Sequence, residues 1–287
     1  MGFLRSLLRG PDPPTATTAP AAGQLRSPDP PRLDFGWATD VGSIRDHNED
    51  SVLVISAVQE GDDQQPPFGL FIVADGMGGH RAGEAASSLA ARVSAHHITS
   101  RCYLPALLRT ESDAYQPSLT EILVDAVLAA NDAVYQQVRG GGTTLTCALV
   151  LGPQAYIAHV GDSRACLIDE ARLEQITHDH TLVERLIENG QLTADEAANH
   201  PQQNVLYRAV GQGSQLEVDT HVRRIPPDNH LLLCSDGLWN VLGSAKITQL
   251  IQDTPSVQSA CQSLVAAANR AGGPDNITVI LWRSPSG

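Results

Sequence analysis

Aspartate residues follow apolar, strand-like segments at several points in this 287-residue chain. Asp75 comes directly after the apolar run 68–74, and Asp236 follows the run 231–234. An unpaired charge at the end of a buried strand is unfavourable, and carboxylates that converge repel one another unless cations lie between them. One Asp-Gly pair alone is typical of a turn. Four aspartate motifs together favour a fold whose strand ends surround a carboxylate metal site, and these motifs occupy residues 45–50, 75–80, 235–237 and 275–276.

The composition restricts the possible partners and compartment. A formal net charge of −13 disfavours binding to nucleic acid or to anionic membranes, because both carry negative phosphates. No apolar stretch reaches the roughly 18–20 residues that a membrane span requires. The five cysteines are dispersed, without a Cys-x-x-Cys pair, as is typical of reduced thiols in a cytoplasmic protein.

The chain divides into a short tail and one folded region. Residues 1–32 are rich in proline and alanine, which predicts a disordered N-terminal tail. No second change of composition follows, so residues 33–284 are predicted to form a single domain. The more polar segment 180–211 is predicted to be an insertion that contacts substrate, and it is called the flap below.

The hydrophobic pattern predicts an α+β sandwich in which helices cover the sheets. Tight turns between several of the strands favour antiparallel neighbours. Hydrophobic residues make up 42% of the chain and aromatic residues only 4%, so the core should be mainly aliphatic. The predicted strands are 51–55, 68–73, 143–150, 155–160, 164–168, 230–234 and 277–282. The predicted helices are 83–98, 119–138, 182–189 and 257–269.

Seven short motifs occur in order and together resemble the metal-dependent serine/threonine protein phosphatase family (PPM, type 2C) in its bacterial form. They begin at Arg45, Asp75, Gly142, Gly161, Thr177, Ser235 and Asp275. The resemblance extends from about residue 35 to residue 282. It implies a four-layer αββα sandwich, in which two mainly antiparallel sheets are flanked by helix pairs. It also implies a binuclear Mn²⁺ or Mg²⁺ centre at one end.

The resemblance implies a set of metal ligands. Asp75 would bridge the two ions, and the carbonyl oxygen of Gly76 would bind one of them. Asp236 and Asp275 would hold the other ion. Asp162 matches the aspartate that binds a third, weaker ion in bacterial members.

Three further residues match positions near the ions. Arg45 matches the arginine that binds the substrate phosphate. Glu49 and Asp50 would act mainly through metal-bound waters. The catalytic set implied by the resemblance is therefore Arg45 with Asp75, Asp236 and Asp275.

The chemistry of these residues agrees with that assignment. Hard oxygen ligands without a cysteine or histidine pair select Mg²⁺ or Mn²⁺ over zinc. Two ions about 4 Å apart can stabilise the attacking and leaving oxygens of an in-line displacement and activate a bridging water. An arginine beside them would neutralise phosphoryl charge. The expected activity is metal-dependent hydrolysis of phosphoserine and phosphothreonine in proteins.

One position departs from the family pattern. Animal members carry a histidine, proposed as the general acid, where this chain has Met77. His80 is three residues away and is interpreted as a surface or supporting residue, although it could replace that acid. The general acid is left unassigned.

Three other sequence signals are discounted. Cys166 and Arg172 have the spacing of a cysteine phosphatase loop, but acidic residues lie between them and the required glycines are missing. His178 and His180 are poorly spaced for a metal pair on a helix. Ser163 is not in the Gly-x-Ser-x-Gly context of a serine hydrolase.

Two competing functions remain open at this point. One is a non-catalytic protein that binds phosphoproteins, although such relatives usually lack a metal aspartate. The other is a phosphatase of a small metabolite or a regulator of sigma-factor pathways. The expected partners are phosphoprotein substrates and a Hanks-type serine/threonine kinase, and the expected oligomeric state is a monomer.

Overall fold

Two antiparallel sheets pack face to face in the computed structural model, which describes residues 33–59, 66–79, 81–108, 117–170, 172–197 and 200–286. The strands are β1 (Asp34–Asp40), β2 (Asp50–Ala57), β3 (Phe68–Met77), β4 (Gly142–Thr143), β5 (Leu145–Leu151), β6 (Gln154–Val160), β7 (Arg164–Ile168), β8 (Leu173–Gln175), β9 (Asp219–Arg224), β10 (His230–Cys234) and β11 (Ile277–Arg283). One sheet has the order β1-β11-β10-β7-β8. The other has the order β2-β3-β5-β6-β9, with β4 paired to β3.

Helices cover the outer faces of both sheets. They are α1 (Arg81–Ile98), α2 (Leu104–Leu108), α3 (Leu119–Gln137), α4 (Leu182–Glu188), α5 (Ala194–Ala197), α6 (Asp236–Trp239), α7 (Ser244–Gln252) and α8 (Val257–Arg270), with a π-helical turn at Thr99–Tyr103. Helices α1 and α3 pack on the sheet that contains β3, and α7 and α8 pack on the sheet that contains β11. The predicted αββα layers are thereby confirmed.

Strand β3 shows how the sequence builds these layers. Leu70 and Ile72 face the helices α1 and α3, whereas Phe71 and Val73 lie between the sheets. Since side chains alternate across a strand, a fully apolar run can serve two cores at once. The continuous hydrophobic run at 68–74 therefore belongs to a central strand buried on both faces.

Most predicted elements are present, with one correction and several omissions. The predicted strand 143–150 is divided into β4 and β5, because Thr144 leaves the ladder and donates its N–H to the carbonyl oxygen of Asp75. Strands β1, β8 and β9 and helices α2, α5, α6 and α7 were not predicted. The N-terminal segment 1–32 lies outside the described residues.

The flap begins and ends at the sandwich. Within the described residues 180–197 and 200–211, isolated β-bridges join Thr181 to Leu206 and Val210 to Thr143. Helices α4 and α5 lie between Thr181 and Leu206, within the loop that the first of these bridges closes. None of the described helices has the length and hydropathy to cross a membrane.

Candidate metal centre

The predicted site residues meet at one end of the sandwich. Because β2 and β3 are antiparallel, Asp50 at the start of β2 lies directly opposite Asp75 near the end of β3. Asp162 follows β6, and Asp236 follows β10 after one residue. Asp275 precedes β11. Antiparallel pairing thus brings together five carboxylates that are far apart in the sequence.

A cavity of about 440 Å³ opens at this end. Seven of the eight predicted site residues line it, and these are Arg45, Glu49, Asp75, Gly76, Asp162, Asp236 and Asp275. The eighth, Asp50, lies beside it and accepts a hydrogen bond from Ser235 Oγ at 2.8 Å. The structure brings all eight predicted residues into one region.

Burial makes this cluster unfavourable for bare carboxylates. Burial first, and then repulsion from Asp50 and Asp236, raises the pKa of Asp75 well above its ordinary value. Burial likewise raises the pKa of Asp50 to about 7 and that of Asp236 to about 6. Burial and the charge of Asp236 also raise the pKa of Asp162. Positive charge placed among these groups would stabilise their ionised forms.

The donor set fits a hard divalent cation. Asp50 Oδ1 and Asp236 Oδ1 are buried, and within the described residues neither has a hydrogen-bond partner. Orphaned anionic oxygens are the ligands that Mg²⁺ and Mn²⁺ prefer. No three acidic, histidine or cysteine side chains in the described part of the chain form a group that could hold an ion by themselves. Main-chain oxygens and water would therefore have to complete the coordination.

Asp275 is held from two sides. Arg45 donates from Nη2 to Asp275 Oδ2 at 2.7 Å, and the main-chain N–H of Asn276 donates to Oδ1 at 2.9 Å. Arg45 is half exposed and reaches the cavity from the loop between β1 and β2. A cation bound by Asp275 would have to share this carboxylate with Arg45.

Two threonines hold the main chain at Asp75, a role that the sequence alone does not reveal. Thr144 Oγ1 accepts from the N–H of Asp75 at 2.9 Å, and Thr143 Oγ1 donates to the carbonyl oxygen of Asp75 at 2.8 Å. Thr144 Oγ1 also shares a 2.7 Å hydrogen bond with Ser163 Oγ. The Gly142-Thr143-Thr144 motif was recognised, but its structural purpose depends on a partner almost 70 residues away.

Asn276 joins the start of β11 to the loop between β1 and β2 by three hydrogen bonds. Its Oδ1 accepts from the N–H of Glu49 at 2.8 Å. Its Nδ2 donates to the carbonyl oxygens of Val41 and His47 at 2.8 and 2.9 Å. This residue therefore fixes the loop that carries Arg45 and Glu49, and its adjacency to Asp275 was the only sequence signal for it.

Glu49 lies against the first turn of α1. A Cβ at Gly83 would overlap Glu49 Oε2, so any larger residue there would displace this carboxylate from its position. The N-terminal turn of a helix presents unpaired N–H groups and favours negative charge. The sequence predicts a helix that begins at Gly83 but does not show the contact with Glu49, because that contact is not local.

The discounted signals have structural explanations. Burial raises the pKa of the Cys166 thiol to about 12, which keeps it protonated. His180 Nδ1 accepts the N–H of Gly161 at 3.0 Å, and its Nε2 lies 3.2 Å from Asp219 Oδ2, so both ring nitrogens have protein partners. Ser163 is bonded to Thr144, as described above. These groups support the fold around the site.

The general acid stays unassigned. Met77 lines the cavity, and its sulfur accepts a 3.4 Å hydrogen bond from Gln212. Among the described residues, no histidine lines the cavity. His80 lies outside the described residues.

The raised pKa of Asp50 predicts a pH effect on stability in chelator-treated protein. Its pKa is 3.8 when exposed and about 7 when folded, so the folded state favours the protonated form. The contribution of protonated Asp50 to the stability of the folded state is complete below about pH 4, and it is lost as the pH rises through 7. We therefore expect the melting temperature of the wild type, minus that of Asp50→Asn, to fall over this interval in EDTA. A difference that stays constant, or that grows with pH, would contradict the assignment.

Comparison with known proteins identifies the family. Residues 47–273 match the family model described as Protein phosphatase 2C. The serine/threonine phosphatase stp of Listeria innocua is 39% identical over 246 residues, which cover 85% of this chain and 93% of that protein. The serine/threonine protein phosphatase PstP of Mycobacterium tuberculosis is 35% identical over 255 residues, which cover 87% of this chain and 44% of that protein.

Solved structures agree. The M. tuberculosis phosphatase PstP/Ppp superposes with a TM-score of 0.70 at 34% identity, covering 88% of this chain and 99% of that one. The PstP catalytic domain in complex with two manganese ions gives a TM-score of 0.70 at 33% identity, with the same coverage. The chain belongs to the protein phosphatase 2C family.

Proposed function

We propose that this chain hydrolyses phosphoserine and phosphothreonine in proteins with the help of two Mn²⁺ or Mg²⁺ ions. The observation that carries the proposal is the group of buried carboxylates with orphaned oxygens, which lies beside Arg45 in one cavity. The relatives named above are serine/threonine phosphatases, and PstP has been solved with two manganese ions. These names support the same chemistry here.

Asp75, Gly76, Asp236 and Asp275 would hold the two ions. Asp75 would contact both, the Gly76 carbonyl oxygen would contact one, and Asp236 and Asp275 would contact the other. When bound, the ions would supply charge neutralisation for the phosphoryl group and lower the pKa of a water molecule.

Asp162 would serve an optional third ion in the same cavity. Glu49 and Asp50 would orient water around the ions. The hydrogen bond from Ser235 to Asp50, and the packing of Glu49 on α1, hold these two carboxylates in place. Thr143, Thr144 and Asn276 would keep the ligand-bearing segments aligned.

Arg45 would bind the substrate phosphate. A guanidinium has five N–H donors in a planar fork that matches phosphate oxygens. Its hydrogen bond to Asp275 places it at the cavity and leaves other donors for the substrate.

We also propose where this enzyme acts and with which partners. It would be a cytoplasmic monomer without a nucleic-acid partner. Its partners would be a Hanks-type serine/threonine kinase and the phosphoproteins that it dephosphorylates. Residues 33–284 would form the phosphatase domain, with 180–211 as its flap and 1–32 as a tail. The net charge of −13 is consistent with a protein that avoids phosphate polymers.

The non-catalytic alternative has little support. The predicted metal carboxylates are all present, and the structure brings them together. No described feature favours a small metabolite over a phosphoprotein as substrate.

The direct test is a hydrolysis assay with Mn²⁺. Purified protein should release phosphate from p-nitrophenyl phosphate and from a phosphothreonine peptide, and EDTA should abolish both activities. Added Mn²⁺ should restore them. The absence of metal-dependent turnover in the wild type would refute the proposal.

A further inference from the structure

A second and larger cavity adjoins the candidate metal centre. It has a volume of about 790 Å³ and lies between the flap and the segment around α6. The two cavities share the side chains of Arg45, Asn204, Asp236 and Asp275 in their walls. A substrate whose phosphate occupies the metal centre would therefore extend directly into this space.

The walls of the second cavity are partly apolar. Val183, Ile187 and Ala197 line it from the flap, and Trp239 and Val241 line it from the opposite side. Such walls suit the aliphatic part of a side chain better than a fully hydrated one.

The more buried of the two arginines that line this cavity has its charge neutralised. Arg164 donates to Asp179 at 2.7 Å, and its guanidinium stacks 3.4 Å from the centre of the Trp239 ring. Both partners restrict Arg164, so it is poorly placed to attract an acidic substrate residue.

Glu184 is the carboxylate in this cavity without a partner. Its main-chain N–H bonds to the Thr181 hydroxyl at the start of α4, which fixes the orientation of the residue. Among the described residues, none forms a hydrogen bond or ion pair with its side chain. Partial burial raises the pKa of Glu184, and the charges of Asp179 and Glu188 add to this shift, whereas those of Arg164 and His178 oppose it.

From this arrangement we propose that the second cavity binds an arginine or lysine side chain of the substrate, close in sequence to the phosphorylated residue. The aliphatic stem would lie on Val183 and Ile187, and the cationic head would pair with Glu184. This inference rests on the proposed phosphatase activity and makes Glu184 a determinant of its substrate specificity.

The test compares phosphothreonine peptides that differ at single flanking positions. Each of the three positions on either side of the phosphothreonine carries arginine in one peptide and alanine in its match. At one or more positions, we expect the wild type to have a kcat/KM roughly fivefold higher for the arginine peptide than for its alanine match. This preference should become smaller in high salt.

The variant Glu184→Gln should reduce that ratio to about one, and Glu184→Lys should reduce it below one. Glu170→Gln is the matched control, because Glu170 is exposed and does not line the cavity. It should keep the wild-type ratio. Because each variant is judged by a ratio of two peptides, a general change in activity cancels.

Hydrolysis of p-nitrophenyl phosphate by the wild type separates the two claims. If the wild type does not hydrolyse it with Mn²⁺, the proposed function fails. If it does, equal kcat/KM values for all peptide pairs would overturn the role of this cavity. A preference that survives in Glu184→Gln would overturn it as well.

Discussion

Replacing Asp75 with asparagine is expected to lower kcat/KM for a phosphothreonine peptide by about three orders of magnitude or more at saturating Mn²⁺. Asp75 is the one side chain assigned to both ions. It lies opposite Asp50 and within the field of Asp236, Asp162 and Asp275. Asparagine keeps the shape of the side chain but removes the negative charge that would hold the cations.

The same variant should remain folded. Burial raises the pKa of Asp75, so an uncharged residue at this position removes an unfavourable buried charge. In EDTA near neutral pH, we expect a melting temperature equal to or above that of the wild type. Added Mn²⁺ should stabilise the wild type but not the variant, since a ligand stabilises only the state that binds it.

Asp132→Asn is a suitable control for this experiment. Asp132 is exposed on α3, so its replacement changes the same chemical group away from the site. It should keep both activity and stabilisation by Mn²⁺. An Asp75→Asn enzyme with activity within tenfold of the wild type would show that Asp75 is not a central ligand.

The second large effect concerns stability. Gly76→Ala is expected to reduce the free energy of unfolding by about 3 kcal/mol or more, because it forces atoms into a space that is already filled. A Cβ at Gly76 would overlap the carbonyl oxygen of Gly83 and would lie 2.6 Å from the carbonyl oxygen of Glu49. Both neighbours are main-chain atoms, so neither can move aside by a simple rotamer change.

Urea unfolding in EDTA measures this effect without a contribution from metal binding. Gly213→Ala is the matched control, since the nearest atom to a Cβ there is the Gln215 carbonyl oxygen at 3.8 Å. It should change the free energy of unfolding by less than about 1 kcal/mol. Equal stability of the two variants would contradict the close contact between Gly76 on β3 and Gly83 on α1.

The central strands could be predicted because the residues that they bury are consecutive apolar residues in the sequence. The apolar run at 68–74 and the run at 230–234 are buried on both faces, so hydrophobicity alone marks them. The same runs end in Asp75 and, one residue later, Asp236, which is why the metal centre could be anticipated from strand-end carboxylates.

The edge strand β9 could not be predicted in the same way. Its sequence from Asp219 to Arg224 is mostly polar, and most of its residues are exposed. This strand is defined by its hydrogen bonds to β6, which is about 65 residues away in the sequence. Such a pairing does not require apolar side chains, so the local sequence shows no pattern that predicts it.

The supporting residues of the site were missed for a related reason. Asn276 bonds to Glu49 across 227 positions, and Gly83 leaves space for the side chain of Glu49. Both functions exist only after the sheets have assembled. A single sequence shows which residues carry charge, but it does not show which neutral residues hold them in place.

Calorimetric titration of Mn²⁺ into chelator-treated, dialysed protein tests the central claim most directly. If the buried carboxylates form a metal centre, the wild type should bind at least two ions per chain, and Asp75→Asn should lose this binding while Asp132→Asn retains it. A wild-type protein that is folded but binds no Mn²⁺ would contradict the account.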